Sequence, residues 1–292
     1  RCKGMIAKHC SKLSHPKRGI IGCLSKAMRK DLDFDVKCMK ELVQRMEVRN
    51  VDYRLHPLLE ESCRKDVTTH CQKELVPQRG DSQKEYNGKV LGCLKKAYVK
   101  STKDASMKLS ELCEEHVREV VINSNLRHHL DPILVGACGG VIKRLCSSEA
   151  ASVDSESGDG RVTLCLKNAF IENKIVKEKE CQKEVLRLMG EAQADVHVDP
   201  VLYKTCSTEL ATICGSVIPG AGRQMSCLLW AKDDPESKKH MSRSCLREIT
   251  QRVEMWEHAA KLAPPESFHE LVGQITGSTS KHYFLGVIAL VI

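Results

Sequence analysis

Aromatic residues are scarce, because Phe, Trp and Tyr together make up only 4% of the 292 residues. So few large rings leave a core lightly packed, and such a chain needs another restraint. We expect Trp230 and Trp256 to be packing residues, since Trp is mostly buried in folded proteins.

Acidic residues are missing from the first part of the chain. Residues 1–30 contain nine Lys or Arg side chains and no Asp or Glu, whereas the net charge of the whole chain is +8. The remainder is therefore nearly neutral, which disfavours nucleic-acid binding along the chain. The basic segment instead predicts a local patch for an anionic partner, formed by Lys12, Lys17, Arg18, Lys26, Arg29 and Lys30.

Recognisable catalytic motifs are absent as well. The sequence contains no Gly-x-Ser-x-Gly, no His-Glu-x-x-His and no phosphate-binding glycine-rich loop. His128 and His129 are the pair most like metal ligands, but adjacent helical residues point about 100° apart. We predict that the chain is not an enzyme and holds no cofactor or metal.

Cysteine, in contrast, is abundant and regularly spaced. Sixteen cysteines form four groups of four: Cys2, Cys10, Cys23 and Cys38; Cys63, Cys71, Cys93 and Cys113; Cys138, Cys146, Cys165 and Cys181; Cys206, Cys214, Cys227 and Cys245. Seven residues always separate the first and second cysteines, and 24 always separate one group from the next. The inner gaps vary. Constant gaps indicate rigid elements and variable gaps indicate loops, so the chain is an internal repeat.

The residues around these cysteines predict helices. An apolar residue lies four positions after every first cysteine (Ile6, Val67, Ile142 and Leu210), and every third cysteine begins Cys-Leu-x-x-Ala. Such spacing places the residues on one helical face. Asp131-Pro132 and Asp199-Pro200 are helix-start signals, from which His56-Pro57 departs, so we expect a weaker start there. Gly88, Gly160 and Gly222 precede third-cysteine helices as turn signals.

Each repeat is therefore predicted to hold three short amphipathic helices. The fold class is all-α, an elongated tandem array of disulfide-stapled three-helix repeats. The predicted domains are cysteine-rich repeats at residues 1–50, 51–125, 126–193 and 194–262, a juxtamembrane stalk at 263–282, and the start of a transmembrane helix at 283–292.

Disulfides explain the cysteines better than zinc does. Zinc sites usually contain a short Cys-x2–4-Cys element, and the closest cysteines here are eight positions apart. Disulfides require an oxidising compartment. The first and second cysteines lie about 12 Å apart along a helix, which excludes a bond between them. Nested pairing (first with fourth, second with third) suits antiparallel helices, while crossed pairing and bridges between repeats stay open.

Both chain ends differ from the repeats. Residues 283–292 are apolar but fewer than the roughly 20 that a membrane helix needs. The sequence begins with Arg1, and its first repeat lacks the lead-in of the other three. We expect both ends to be truncated, with residues 283–292 forming the first half of a membrane anchor. A buried terminal helix and a lipid-anchor signal are the alternatives.

The combination of (Leu/Val)-Asp-Pro-x-Leu-x3-Cys-x7-Cys, Gly-(Lys/Arg) and Cys-Leu-x2-Ala resembles the repeat of the Golgi apparatus protein 1 family. The members of this family are also called cysteine-rich fibroblast growth factor receptors or E-selectin ligands. The resemblance covers residues 1 to about 262, and the stalk extends it. It implies a single-pass type I glycoprotein of the Golgi membrane, with the repeats on the lumenal or extracellular side.

The resemblance also implies a binding function. Fibroblast growth factors or other secreted proteins are the expected partners, with sulfated glycans for the basic patch and the membrane for the C-terminal anchor. The alternative is a structural spacer of the Golgi lumen, or a selectin-ligand adhesion scaffold, with no specific ligand in this segment. No Asn begins an Asn-x-Ser/Thr sequon here, so N-linked glycans would lie elsewhere.

Overall fold

The computed structural model describes residues 1–13, 16–75, 88–102, 104–151 and 159–262. The predicted stalk and membrane anchor lie outside these residues. Within them, no helix is both long enough and apolar enough to span a membrane. One compact unit comprises residues 1–249, and a second comprises residues 250–292.

The all-α prediction is confirmed, since the described residues form fifteen α-helices and no β-strand. The helices are α1 (Lys3–His9), α2 (Pro16–Lys30), α3 (Val36–Val51), α4 (Pro57–His70), α5 (Lys89–Lys100), α6 (Glu111–Leu126), α7 (Pro132–Leu145), α8 (Ser147–Ala151), α9 (Arg161–Ile171), α10 (Lys179–Ala194), α11 (Pro200–Thr205), α12 (Ser207–Thr212), α13 (Arg223–Asp233), α14 (Pro235–Lys239) and α15 (Arg243–Leu262).

The disulfides are nested in every repeat. All sixteen cysteines lie in described residues, and all are paired: Cys2–Cys38, Cys10–Cys23, Cys63–Cys113, Cys71–Cys93, Cys138–Cys181, Cys146–Cys165, Cys206–Cys245 and Cys214–Cys227. The first bond joins the first cysteine to the last helix of the repeat (α3, α6, α10 or α15), and the second bond joins the second cysteine to the third-cysteine helix (α2, α5, α9 or α13). Of the pairings that the spacing left open, the structure has the one that suits antiparallel helices.

The constant 24-residue gap contains the same structure each time. The fourth-cysteine helix ends, a single 3-10 turn follows, and the next helix begins with Pro at its first position. Asp131 and Asp199 accept a hydrogen bond from the backbone N–H three residues later. His56 makes no such bond, which agrees with the weaker start expected there.

Three predictions about single elements were wrong. The variable gaps contain not only loops but also the short helices α8 and α14, and α14 begins with Asp234-Pro235, a helix-start signal like Asp131-Pro132. The first helix of the fourth repeat is interrupted at Cys206, where Thr205, Ser207 and Thr208 are poor helix formers. The exposed fraction of Trp230 is 58%, so it is not a packing residue, whereas Trp256 is buried.

The repeats share their cores. Leu130, which leads into the third repeat, belongs to the hydrophobic cluster of the first repeat, and the cluster of the second repeat includes Ala194 and Val198. The predicted repeat boundaries therefore cut through continuous apolar contacts, and they stay predictions.

Three glycines with positive φ lie in the turns at the junctions between repeats. Gly88 and Gly160 have φ of 75° and 72°, which other residues rarely adopt. Their N–H groups donate to carbonyls at the end of the preceding fourth-cysteine helix, Gly88 to Val51 at 2.7 Å. A Cβ at Gly88 would lie 2.5 Å from Pro132 Cγ, so the turn touches the repeats before and after it. Gly222 repeats the same hydrogen bond, to Ala194.

Candidate functional site

The predicted anionic-partner patch does not form one free surface. Lys26 Nζ lies 3.3 Å from Glu115 Oε1, and Arg29 donates to Glu119 at 2.7 Å and to Asn123 at 2.9 Å. These two cations of α2 are therefore used to join the first repeat to α6 of the second.

Two of the other four patch residues are exposed, and two belong to α2. Lys12 and Lys30 are exposed, and neither forms an ion pair with a described residue. Lys17 and Arg18 belong to α2, but their side chains lie outside the described part of the chain. Among the patch side chains that the structure describes, Lys12 and Lys30 are therefore the two open to an anionic partner.

A cavity of about 520 Å³ lies at the junction of the first two repeats. Helices α2, α3, α4 and α6 form its walls, and the half that faces the first repeat includes Lys26 and Lys30 of the predicted patch. Apolar side chains cover much of the remaining wall: Leu13, Ile21, Met46, Leu58, Leu59 and Val120. This volume falls within the range of about 300–1,000 Å³ typical of sites for small organic molecules.

Side chains that contain nitrogen line the cavity on the side formed by α3, α4 and α6. Burial, followed by the charges of Arg49 and His116, lowers the pKa of His56 to about 3. Burial also lowers the pKa of His116, and both rings are therefore neutral at ordinary pH. The His56 ring contacts Asn50 Oδ1 at 3.0 Å. Arg49 keeps its charge, although burial, and then the charge of Arg45, lower its pKa.

Two residues that line the cavity differ from their counterparts at the next two junctions. Two residues after the third cysteine, the second and third repeats have Lys95 and Lys167, while the first has Ser25; the N-cap Asp131 and Asp199 correspond to His56. At the third junction, where Lys167 and Asp199 are present, the equivalent space is only about 20 Å³.

At the second junction, the corresponding residues Lys95 and Asp131 belong to a buried ion network. Lys95 Nζ and Arg187 Nη2 each lie 2.7 Å from Asp131 Oδ2, and Arg187 also binds Glu184 and Glu191. Burial raises the pKa of Asp131, but the charges of Lys95 and Arg187 outweigh it and hold that pKa well below its ordinary value. This network is a structural contact between the second and third repeats.

Among the residues that the structure describes, one group of side chains has the spacing of metal ligands: Cys206, Glu209 and Cys245. Cys206 and Cys245 are bonded to each other, so neither offers the thiolate that a metal requires. Glu209 instead accepts from the Ser242 N–H at 2.7 Å and thereby caps α15. In the second repeat, Asp66 likewise accepts hydrogen bonds from the backbone N–H and the hydroxyl of Ser110, the residue that precedes α6.

Three segments of the chain, residues 36–102, 111–174 and 179–236, match the family model of a cysteine rich repeat. Together they cover more than half of the chain. The chain is also 36% identical over 99% of its length to Golgi apparatus protein 1 of Gallus gallus, and 36% identical over 99% to that of Homo sapiens. The chain belongs to the cysteine rich repeat family. The resemblance expected from the sequence is confirmed.

The family extends to distant animals, since the Golgi apparatus protein 1 homolog of Caenorhabditis elegans is 28% identical over 99% of this chain. The chain spans only about a quarter of the length of these relatives. The name of the relatives denotes no enzyme, and the matched family model describes a repeat rather than a catalytic domain. A comparison with solved structures finds no match.

The units of the family model are shifted by one helix from the disulfide-defined repeats. They begin at residues 36, 111 and 179, where α3, α6 and α10 begin. Each unit therefore contains the last helix of one repeat, the junction, and the first helices of the next repeat. The junctions described above lie within these units, not between them.

Proposed function

We propose that the chain is part of a lumenal binding scaffold of the secretory pathway, anchored in the Golgi membrane, that binds fibroblast growth factors or similar secreted proteins. The observation that carries this proposal is the nested pair of disulfides repeated in four successive repeats. Such bonds persist in oxidising compartments. The name of the relatives, Golgi apparatus protein 1, supports a place in that compartment.

Stacked helical repeats favour binding over catalysis. Each repeat adds surface next to its neighbour, so a tandem array presents an extended face to a large partner. Lys12 and Lys30 remain available on the first repeat for an acidic protein face or a sulfated glycan. Because these cations are exposed, their contribution to affinity should fall as salt rises.

A structural spacer is the second candidate, and the buried junctions favour it. Lys26 and Arg29 are used for contacts between repeats, and the Lys95–Asp131 pair is sealed from solvent. A chain whose charges mainly hold its repeats together could serve as a stiff connector without a ligand of its own.

Binding to an immobilised fibroblast growth factor, with and without heparan sulfate, separates the two candidates. The scaffold proposal expects saturable binding of the oxidised chain at moderate salt and its loss after reduction and alkylation. Lys12→Gln with Lys30→Gln should weaken binding, whereas Lys37→Gln with Lys40→Gln, two exposed residues of α3, should not. If the oxidised chain binds under neither condition, the spacer is the better description of this segment.

A further inference from the structure

The cavity between the first two repeats contains a charged group that no partner neutralises. Arg49 lines it, and among the described residues Arg49 forms neither an ion pair nor a hydrogen bond with another side chain. Burial weakens the hydration of this guanidinium without providing a carboxylate in return. A half-buried charge of this kind is stabilised when an anion enters beside it.

The other charges around the cavity are already balanced. Lys26 faces Glu115 and Glu119, and Glu119 is paired with Arg29. His9 contacts Asp31 at 2.8 Å. Among the described residues that line the cavity, Arg49 and Lys30 are therefore the positive charges without an ion pair, and of these two Arg49 is half-buried and Lys30 exposed.

The rest of the wall suits an apolar group. Met46 and Leu59 are buried, and Ile21, Leu58 and Val120 extend the same apolar surface. The neutral rings of His56 and His116 add flat surface with one polar edge each. A ligand that matches these walls has one anionic end and a hydrocarbon body.

We propose that this cavity binds a small amphipathic organic carboxylate, whose carboxylate pairs with Arg49 and whose apolar chain lies against Met46 and Leu58. The planar guanidinium matches the two oxygens of a carboxylate. The volume of about 520 Å³ accommodates a chain of several carbons together with ordered water. This site is independent of growth-factor binding, so either proposal can fail without the other.

The next two junctions differ from the first in the residues at these positions. Lys95 pairs with Asp131 at the second junction, and the cavity at the third is only about 20 Å³. Replacement of the lysine by Ser25 and of the aspartate by His56 opens the space and removes the internal carboxylate that would otherwise face Arg49.

Octanoate is the probe, and octanamide, which has the same chain without the charge, is its control. Calorimetry on the oxidised full chain should show saturable octanoate binding with a dissociation constant below about 1 mM, and octanamide should bind at least about tenfold more weakly. Arg49→Met should weaken octanoate binding at least about tenfold. Arg45→Met, one turn earlier on α3 and paired with Glu41 outside the cavity, should leave it unchanged.

A second pair of variants tests the location without removing a charge. Gly22 lines the cavity, and a Cβ built on it meets nothing within 4 Å, so Gly22→Phe places a ring in open space and should abolish octanoate binding. Gly140→Phe has the same open surroundings on α7, away from the cavity, and should bind as the unaltered chain does. The proposal is overturned if octanoate does not bind, if octanamide binds equally well, or if Arg49→Met and Gly22→Phe retain full affinity.

Discussion

Lys95 Nζ donates a hydrogen bond to Asp131 Oδ2 at 2.7 Å, and this contact joins two consecutive repeats. The exposed fractions of the two side chains are 3% and 4%. Asp131 also caps α7 and accepts from Arg187, so one carboxylate connects a helix start, the repeat before it and the last helix of its own repeat. Loss of one partner would leave buried charge without compensation.

Lys95→Met should lower the free energy of unfolding by about 3 to 5 kcal/mol, because Asp131, Glu184 and Glu191 would then face Arg187 alone. Denaturant unfolding of the oxidised chain measures the change. Lys96→Met is the matched control, since Lys96 is exposed on the same helix, and it should stay within about 0.5 kcal/mol of the unaltered chain. Equal midpoints for the two variants would show that the buried pair does not stabilise the junction.

Gly88→Ala should destabilise the chain by about 2 kcal/mol or more. Its φ of 75° disfavours any residue with a Cβ, and that Cβ would lie 2.5 Å from Pro132 Cγ. Gly160→Ala should be milder, at about 1 kcal/mol, because there the nearest atom lies 3.3 Å away.

Gly140→Ala is the control, and it should raise rather than lower the stability of the chain. Gly140 lies within α7 with open space around it, so alanine should stabilise the helix by about 0.5 to 1 kcal/mol. Thermal unfolding of the three variants tests the order. A Gly88→Ala variant as stable as the unaltered chain would contradict the close contact between the second and third repeats.

The stability of the first junction should depend on pH through His56. The unfolded chain takes up a proton at this ring near pH 6.5, whereas the folded chain does so only at a pKa of about 3. The unfolded state therefore binds more protons between these values, and stability should fall as pH falls from about 6.5 towards 3.

His56→Gln removes this group, so the fall in stability over that window should become smaller, and above pH 8 the difference in stability between the two proteins should no longer change with pH. Denaturant midpoints across the pH series measure the difference, and the ring signals of His56 report its pKa directly. A folded-state titration of His56 near pH 6.5 would refute the buried, neutral ring.

Local signals made much of the fold predictable. The Cys-x3-apolar-x3-Cys spacing gave the helical face, and Asp131-Pro132 and Asp199-Pro200 marked helix starts that the structure confirms. The disulfide pairing was not predictable to the same degree, because spacing along the chain does not specify which helices lie side by side. Nested and crossed bonds became distinguishable only with the packing.

The cavity was harder to foresee for a similar reason. Ser25 and His56 each differ from their counterparts in the later repeats, and the His56 departure was visible in the sequence. Only the contact between repeats shows that the two changes occur at one place and leave space. The role of Lys26 and Arg29 was hidden likewise, since their partners Glu115 and Glu119 lie in another repeat.

Disulfide mapping of the oxidised chain tests the account most directly. Proteolysis without reduction, followed by mass spectrometry, should yield linked peptides for the nested pairs, such as Cys63–Cys113 and Cys71–Cys93, and no free thiol. Peptides that link Cys63 to Cys93, bonds between different repeats, or cysteines that remain reduced would contradict it.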